Sequence, residues 1–302
     1  MNYMKLFKLV FMCACLALTS CNLSQKPTTI QVSFTNDCSL QQQEEAQQVI
    51  IERIKSVYKV KDFTMLEDGR FSVTYFPKEN FEILPDLLEK KGEIIVYESY
   101  PAYEISELIF NHFGRPTETP TPESNLFAFF MLSGRERLPD ESPVIGIALR
   151  SEKNYLDSLF RSEEIQKLLP PDISFMWKEE SHFNEIQYEL IAVKTSNFIQ
   201  LNKETVKVAT AESSQYSSWL ELHIELNPEF TQKWADMTRN NILRHLPIVC
   251  DGNILSYPMV TAEITGGALS ISGGYTNEEI NTMLGFIKSD VLNCPATFSV
   301  LE

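Results

Sequence analysis

Between positions 227 and 287 the chain spells out its own caps and turns, and this run limits the available folds more than anything else in the 302 residues. Asn227 and Pro228 stand at the N-cap and first position of a helix, with Phe230, Trp234 and Met237 following at helical spacing. Arg239, Arg244 and His245 come where a helix C-terminus favours cations. Asp251-Gly252 separates two apolar runs, 246–250 and 253–260, and tolerates the positive φ angles of a type I′ hairpin turn. Gly266-Gly267 is expected to act the same way between 259–265 and 268–272. Thr276 and Glu279 then form a capping box for a helix whose Ile280, Met283, Leu284 and Ile287 share one face. A capped helix, two hairpins and a second capped helix predict an α+β fold.

The same residues carry a resemblance. Leu246, Ile248, Val249, Asp251, Gly252, Ser256, Pro258, Ile264, Gly266, Gly267, Ile271, Gly273, Tyr275, Thr276, Glu278 and Glu279 follow the pattern of the SecD head. This head belongs to the first large extracytoplasmic domain of SecD, the accessory subunit of the Sec protein-export machinery. Gly274 extends the family's turn beside Gly273. Pro247, Cys250 and Tyr257 depart from the pattern, and Tyr275 keeps its aromatic position with tyrosine where the family has phenylalanine. Proline donates no ladder hydrogen bond, so Pro247 must sit at a strand's first residue or on an edge.

At the other end, Lys5 and Lys8 precede an apolar stretch, 9–18, and Leu18-Thr19-Ser20-Cys21 closes it. This resembles a bacterial lipoprotein signal, with residues 1–20 removed and Cys21 acylated as the new N-terminus. An ordinary secretory peptide or a short membrane anchor are the alternatives, although the stretch is short for a span. The body would then hang on a tether of eight residues, 22–29, in the cell envelope on the periplasmic side. The formal charge is −15; without the leader, 24 basic residues face 41 acidic ones, giving −17. Such acidity excludes nucleic acid as a partner, since binding it draws on basic patches. Outside the leader, Cys38, Cys250 and Cys294 remain. Cys38 ends the first predicted strand and Cys294 precedes the last, so they meet in a disulfide if those strands are antiparallel. Cys250 reads as a buried free thiol.

Residues 28–34 read as a strand, and Ser39 with Gln42 as a capping box for a helix carrying Ile50, Ile54, Val57 and Tyr58 on one face. Phe63 and Met65, the turn Asp68-Gly69, and Phe71, Val73 and Tyr75 make a hairpin. A short helix over 81–90, weakened by Pro85, the breaker Gly92 and a strand over 93–98 complete a ferredoxin-like βαββαβ pattern. The resemblance adds that a C-terminal helix and strand, 277–288 and 296–301, return to close this base layer. The expected organisation is a signal at 1–20, a base over 28–100 plus 276–302, an inserted α+β subdomain over 101–194, and a head over 195–275. Inside the insertion we expect a helix over 103–113, further helices over 153–169, and strands at 126–132, 144–149, 173–177 and 187–193. Residues 115–124 and 133–142 read as solvent loops.

Little here suggests catalysis. His112, His182, His223 and His245 lie far apart without metal or protease spacing, and the glycine pairs lack a phosphate-loop frame. We therefore expect no enzyme, no cofactor and no metal. The strand over 219–227 turns Leu220, Leu222, Ile224 and Leu226 one way, and Trp219, Glu221, His223 and Glu225 the other. The second face is either a wet sheet surface or a contact for extended polypeptide, with Tyr257 and Met259 as further candidates. By resemblance, the partners are unfolded or emerging secretory polypeptide, the Sec membrane machinery, and the membrane through the lipid. No apolar run outside the leader reaches the length of a span, so proton coupling is not expected of this sequence. The expected function is a lipid-anchored module assisting export; the alternative is an adaptor lipoprotein that kept the scaffold and lost polypeptide binding.

Overall fold

A computed structural model describes residues 26–35, 37–66, 69–77, 83–113, 142–182, 185–213 and 220–301. In chain order these hold β1 (Thr28–Phe34), α1 (Leu40–Val57), β2 (Lys59–Met65), β3 (Phe71–Phe76), α2 (Leu84–Glu89), β4 (Ile94–Ser99) and α3 (Ala102–Phe113). After them come β5 (Val144–Leu149), α4 (Arg150–Phe160), α5 (Glu163–Gln166), β6 (Ile173–His182), β7 (Glu185–Leu201), β8 (Val206–Ser213) and β9 (Leu220–Leu226). The remainder is α6 (Pro228–Asn240), β10 (Ile248–Cys250), β11 (Asn253–Ser256), β12 (Ala268–Ile271), α7 (Asn277–Ile287) and β13 (Ala296–Leu301). The fold is α+β. The leader, Asp68, the predicted strand at 126–132 and nearly all of both predicted loops lie outside the described residues.

The first sheet runs β13-β1-β3-β2, all antiparallel, with Thr29 opposite Leu301 and Phe34 opposite Ala296. Both capping boxes form: Ser39 accepts from the Gln42 amide while Gln42 returns to the Ser39 N–H, and Thr276 pairs with Glu279 likewise. Each satisfies two of the amides a helix start leaves without partners. Pro85 lies in the first turn of α2, where a missing N–H costs nothing, so it starts that short helix instead of weakening it. The expected βαββαβ order needs one correction. β4 is absent from this sheet, and the strand beside β1 is β13, delivered by α7 from the C-terminal end. Cys38 and Cys294 are joined at the end of that layer, with Cα atoms 6.0 Å apart and a sequence separation of 256.

β4 instead enters a second sheet, β4-β10-β11-β6-β7-β5, which also pairs β4 with β7. The order β4-β10-β11-β6-β7 thus closes into a small ring, sealed between β11 and β6 by a single parallel pairing of Asn253 with Trp177. Inside it pack Val249, Ile254, Ile191 and Val193, with Tyr97, Met176 and Tyr257 partly buried around them. β7 is long enough to carry β4 and β5 end to end along one edge and β6 along the other. The inserted helices cover the outer face through Ile105, Ile109, Leu156 and Phe160. Insertion and head therefore share one sheet.

The Asp251-Gly252 turn has φ of 49° and 80°, and it links β10 to β11 as a hairpin. Pro247 directly precedes β10 and offers its carbonyl to the Tyr97 amide. The second expected hairpin does not form. Gly267 adopts φ 69°, but the strand after it, β12, pairs with β9, giving a third sheet β12-β9-β8. Met259 and Val260 make only isolated bridges, to His245 and Ile242. The free edge of β9, with Leu222 and Ile224 buried beneath it, takes β12, so Leu269 and Ile271 face that core. One continuous apolar core joins this third sheet to the base: Leu222, Ile224, Leu226, Trp234 and Met237 pack with Ile30, Phe71, Ile50, Ile54 and Ile280.

Base and ring meet at a polar joint that sequence reasoning missed. Arg53 on α1 is fully buried and donates to the carbonyls of Leu87 (3.0 Å), Lys90 (2.8 Å), Lys91 (2.7 Å) and Asp290 (3.3 Å), and to Ser289 Oγ (3.1 Å). Its guanidinium stacks 4.6 Å from the Phe286 ring. Burial pulls its pKa down to about 10, which leaves it charged at neutral pH. The acceptors include carbonyls that the end of α2 leaves unpaired, where a cation is favoured. Next to it, Gly92 has φ 69°, and a Cβ there would lie 2.5 Å from Arg53 Nη2. The Asp251 carboxylate then accepts from the amides of Gly92 (3.0 Å) and Glu93 (2.8 Å), so the hairpin turn is pinned to the chain leaving the base.

Candidate functional site

α6 begins at Asn227, but the Asn227 side chain donates to the Glu204 carbonyl instead of capping the helix. Its other end builds the site. Thr238 Oγ1 donates to the carbonyls of Trp234 and Ala235 and accepts from the Ile264 amide at 3.0 Å, tying the 264 segment to the last turn. Asn241 Nδ2 caps the Met237 carbonyl at 2.8 Å. The chain then turns through Leu243, whose φ of 65° is left-handed and whose amide bonds the Val260 carbonyl at 2.7 Å. A bulky residue in that conformation costs about 1–2 kcal/mol, so a glycine or asparagine would be easier to accommodate.

Four apolar side chains stand out around this turn: Leu243 is 58% exposed, Met259 50%, Ile242 44% and Ile264 36%. The bridges of Ile242 to Val260 and Met259 to His245 hold their backbones together. Charge lies at the rim, where Arg239 pairs with Glu263 (2.6 Å) and Asp236 (2.8 Å), and Arg244 approaches Glu104 (3.9 Å). A clustered apolar surface with a polar rim is the chemistry of a contact site, and the unbranched, polarizable side chain of methionine adapts to varied partners. Of these four, sequence reasoning offered only Met259 as a contact residue. The signal it missed is an apolar pair, Ile242-Leu243, directly after a helix end where polar residues or glycine are usual.

The other candidates lie elsewhere. Trp219 is outside the described residues. Leu222, Ile224 and Leu226 are buried and Glu221, His223 and Glu225 lie on the opposite face of β9, as the alternation requires. That stripe is engaged within the chain: His223 Nδ1 lies 3.1 Å from Ser270 Oγ and its Nε2 3.8 Å from Glu221, while Lys207 meets Glu225 at 2.6 Å. The Tyr257 hydroxyl donates to Glu189 at 2.8 Å, and its ring packs against His245 and under Lys178. Burial and Glu189 push that hydroxyl's pKa well up. Tyr257 is thus a brace between β7 and the segment after β11. Gly273 and Gly274, with φ of 126° and 65°, turn the chain from β12 into α7. Cys250 is half-buried and unpaired, its thiol pushed up to about 12, first by burial and then by Asp251. Among the described residues no group of three or more His, Cys, Asp or Glu side chains could hold a metal ion.

Residues 181–293 match the family model of the SecDF P1 head subdomain. The protein translocase subunit SecD of Rhodothermus marinus is 26% identical over 237 residues, 72% of this chain and 36% of that protein. SecD of Sebaldella termitidis is 32% identical over 102 residues, 34% of this chain and 24% of that protein. SecD of Leptotrichia buccalis is 35% identical over 78 residues, 26% of this chain and 19% of that protein. The chain spans about a third or less of the length of these curated relatives. A solved SecDF structure, described as a membrane component that enhances protein export, covers 92% of this chain and 99% of its own, at 16% identity and a TM-score of 0.42. The chain is similar to the periplasmic part of SecD, and the head match begins within the β6–β7 hairpin and ends past α7. Among the described residues no helix is long and apolar enough to cross a membrane.

Proposed function

We propose, from the premise of SecD likeness, that this protein is an extracytoplasmic binding module that holds emerging or unfolded secretory polypeptide during export. It is carried on its membrane by acyl chains on Cys21, works beside the Sec membrane machinery, and has neither proton coupling nor catalysis of its own. The observation that carries the reading is the apolar cluster of Ile242, Leu243, Met259 and Ile264 at the end of α6, inside the segment that matches the SecDF head. Extended polypeptide offers alternating apolar side chains to such a surface, and the adaptable methionine suits clients of many sequences.

The strained Leu243 gives a test that separates binding from stability. Leu243→Asn relieves the left-handed strain and is expected to stabilise the fold by about 1 kcal/mol, as read by urea denaturation. The same substitution combined with Met259→Ser is expected to lower photo-cross-linking to an unfolded secretory chain at least about fivefold, since about 1 kcal/mol per lost apolar contact multiplies through the affinity. Undiminished capture by the double variant would leave the adaptor alternative standing, to be identified by the envelope protein that co-purifies.

A further inference from the structure

A second surface of different character lies at the opposite end of the chemistry. In a chain of formal charge −15, Lys55, Lys59 and Lys61 gather where α1 passes into β2, and none of them forms an ion pair among the described residues. They line one shallow, open depression together with Tyr58 and Asp62. Asp62 is the lone carboxylate of that lining, and it accepts from the Phe63 amide. The β-sheet register fixes where this cluster sits. Thr28 lies opposite Tyr75, and Tyr75 lies opposite Val60, so the first residue of β1 and the start of β2 share one row across the sheet. Two inter-strand spacings separate them, about 10 Å. A bulge between Val60 and Asp62 turns Val60 and Phe63 both toward the core and leaves Lys61 outside the ladder. The segment leading to the N-terminus, beginning with exposed Lys26, therefore leaves the body at this lysine-lined end.

We infer that this end of the base docks on anionic phospholipid headgroups, so that the tethered body stands on the membrane with these lysines facing it. The inference rests on the lipid anchor proposed above. Seven steps of chain separate Cys21 from Thr28 and span at most about 25 Å, which holds Lys26, Lys55, Lys59 and Lys61 close enough for short-range attraction to compete with screening. The tether confines the acidic body near the surface, and the lysine cluster selects which side of it turns toward that surface.

Lysine acetylation footprinting of the full chain reconstituted with liposomes tests this. Flotation with phosphatidylcholine liposomes reads the anchor alone. Adding phosphatidylglycerol is expected to slow acetylation of Lys55, Lys59 and Lys61 at least about threefold, with Lys167 and Lys207 unchanged, and high salt should remove the effect. Equal rates on both liposomes, or protection of Lys167 or Lys207 instead, would overturn the docking while leaving the anchor intact. A chain that fails to float defeats the anchor. In that case the same footprint is read on a chain held by an N-terminal hexahistidine tag to nickel-chelating lipid, where protection of the three lysines still supports the surface and its absence overturns it.

Discussion

At the scale of single residues, Arg53 and Leu243 mark the two kinds of information that sequence patterns omit. Arg53 serves carbonyls 34 to 237 positions away in the chain, so no local window announces it. Replacing it with methionine keeps the bulk and leaves those carbonyls without their donor. Each buried orphan costs about 1–3 kcal/mol, so Arg53→Met is expected to lose about 3 kcal/mol or more in urea denaturation. A loss within about 0.5 kcal/mol, the ordinary effect of a surface change, would show that the joint is dispensable. Leu243 was illegible for another reason, because its side chain says nothing of the φ that the Val260 bond imposes. The capping residues Ser39 and Thr276 were legible because their partners lie three positions away. Asn227 had the right residue in the right place, and a competing acceptor on Glu204 took its side chain.

At the scale of elements, strands were easier to find than their partners. β1, β5 and β9 carry alternating or continuous apolar runs that mark them without saying what they pair with. That gap explains why β4 was assigned to the base and β12 to a hairpin. β7 shows how a strand is shared between two neighbours. Its pairing with β4 jumps from Phe198 to Lys194; of the three residues skipped in that register, Thr195 and Ser196 are tied to Asp172 and Asn197 donates to Glu98. The Asp172 carboxylate accepts from Tyr100 (2.6 Å) and Ser196 (2.5 Å), and its carbonyl accepts from the Thr195 amide (2.7 Å). Donation by Ser196 first, and Tyr100 second, holds this carboxyl below its ordinary 3.8. A depressed carboxylate contributes stability that is complete above its unfolded value and disappears as pH falls through the folded one. Thermal unfolding of the native chain should therefore weaken below about pH 4, and Asp172→Asn should show a flatter acid limb. Parallel acid limbs for the two proteins would remove Asp172 from any pH response.

At the scale of the molecule, the sequence implied that the two ends meet, and it did so through the family pattern at 246–279 together with the cysteine positions. It did not imply that base and third sheet share a core. Drawing them apart would expose Leu222, Ile224 and Leu226, at about 1.5–3 kcal/mol for each side chain, so these layers form one body. The Cys38–Cys294 bridge restrains almost the whole chain length, and converting both residues to serine is expected to cost about 2–4 kcal/mol, with amide exchange in β13 and β1 accelerating first. Unchanged exchange in those strands would mean that the surrounding packing alone fixes them. The position of β1 has a mechanical meaning as well. It lies between β13 and β3 with hydrogen bonds on both flanks, so tension on the polypeptide ahead of Thr28 runs along the strand and must shear two ladders at once. An edge strand under the same tension would peel away one rung after another. A pull entering through β1 is therefore resisted by the whole width of the layer, and the base stays intact under loads that would open a sheet at its rim.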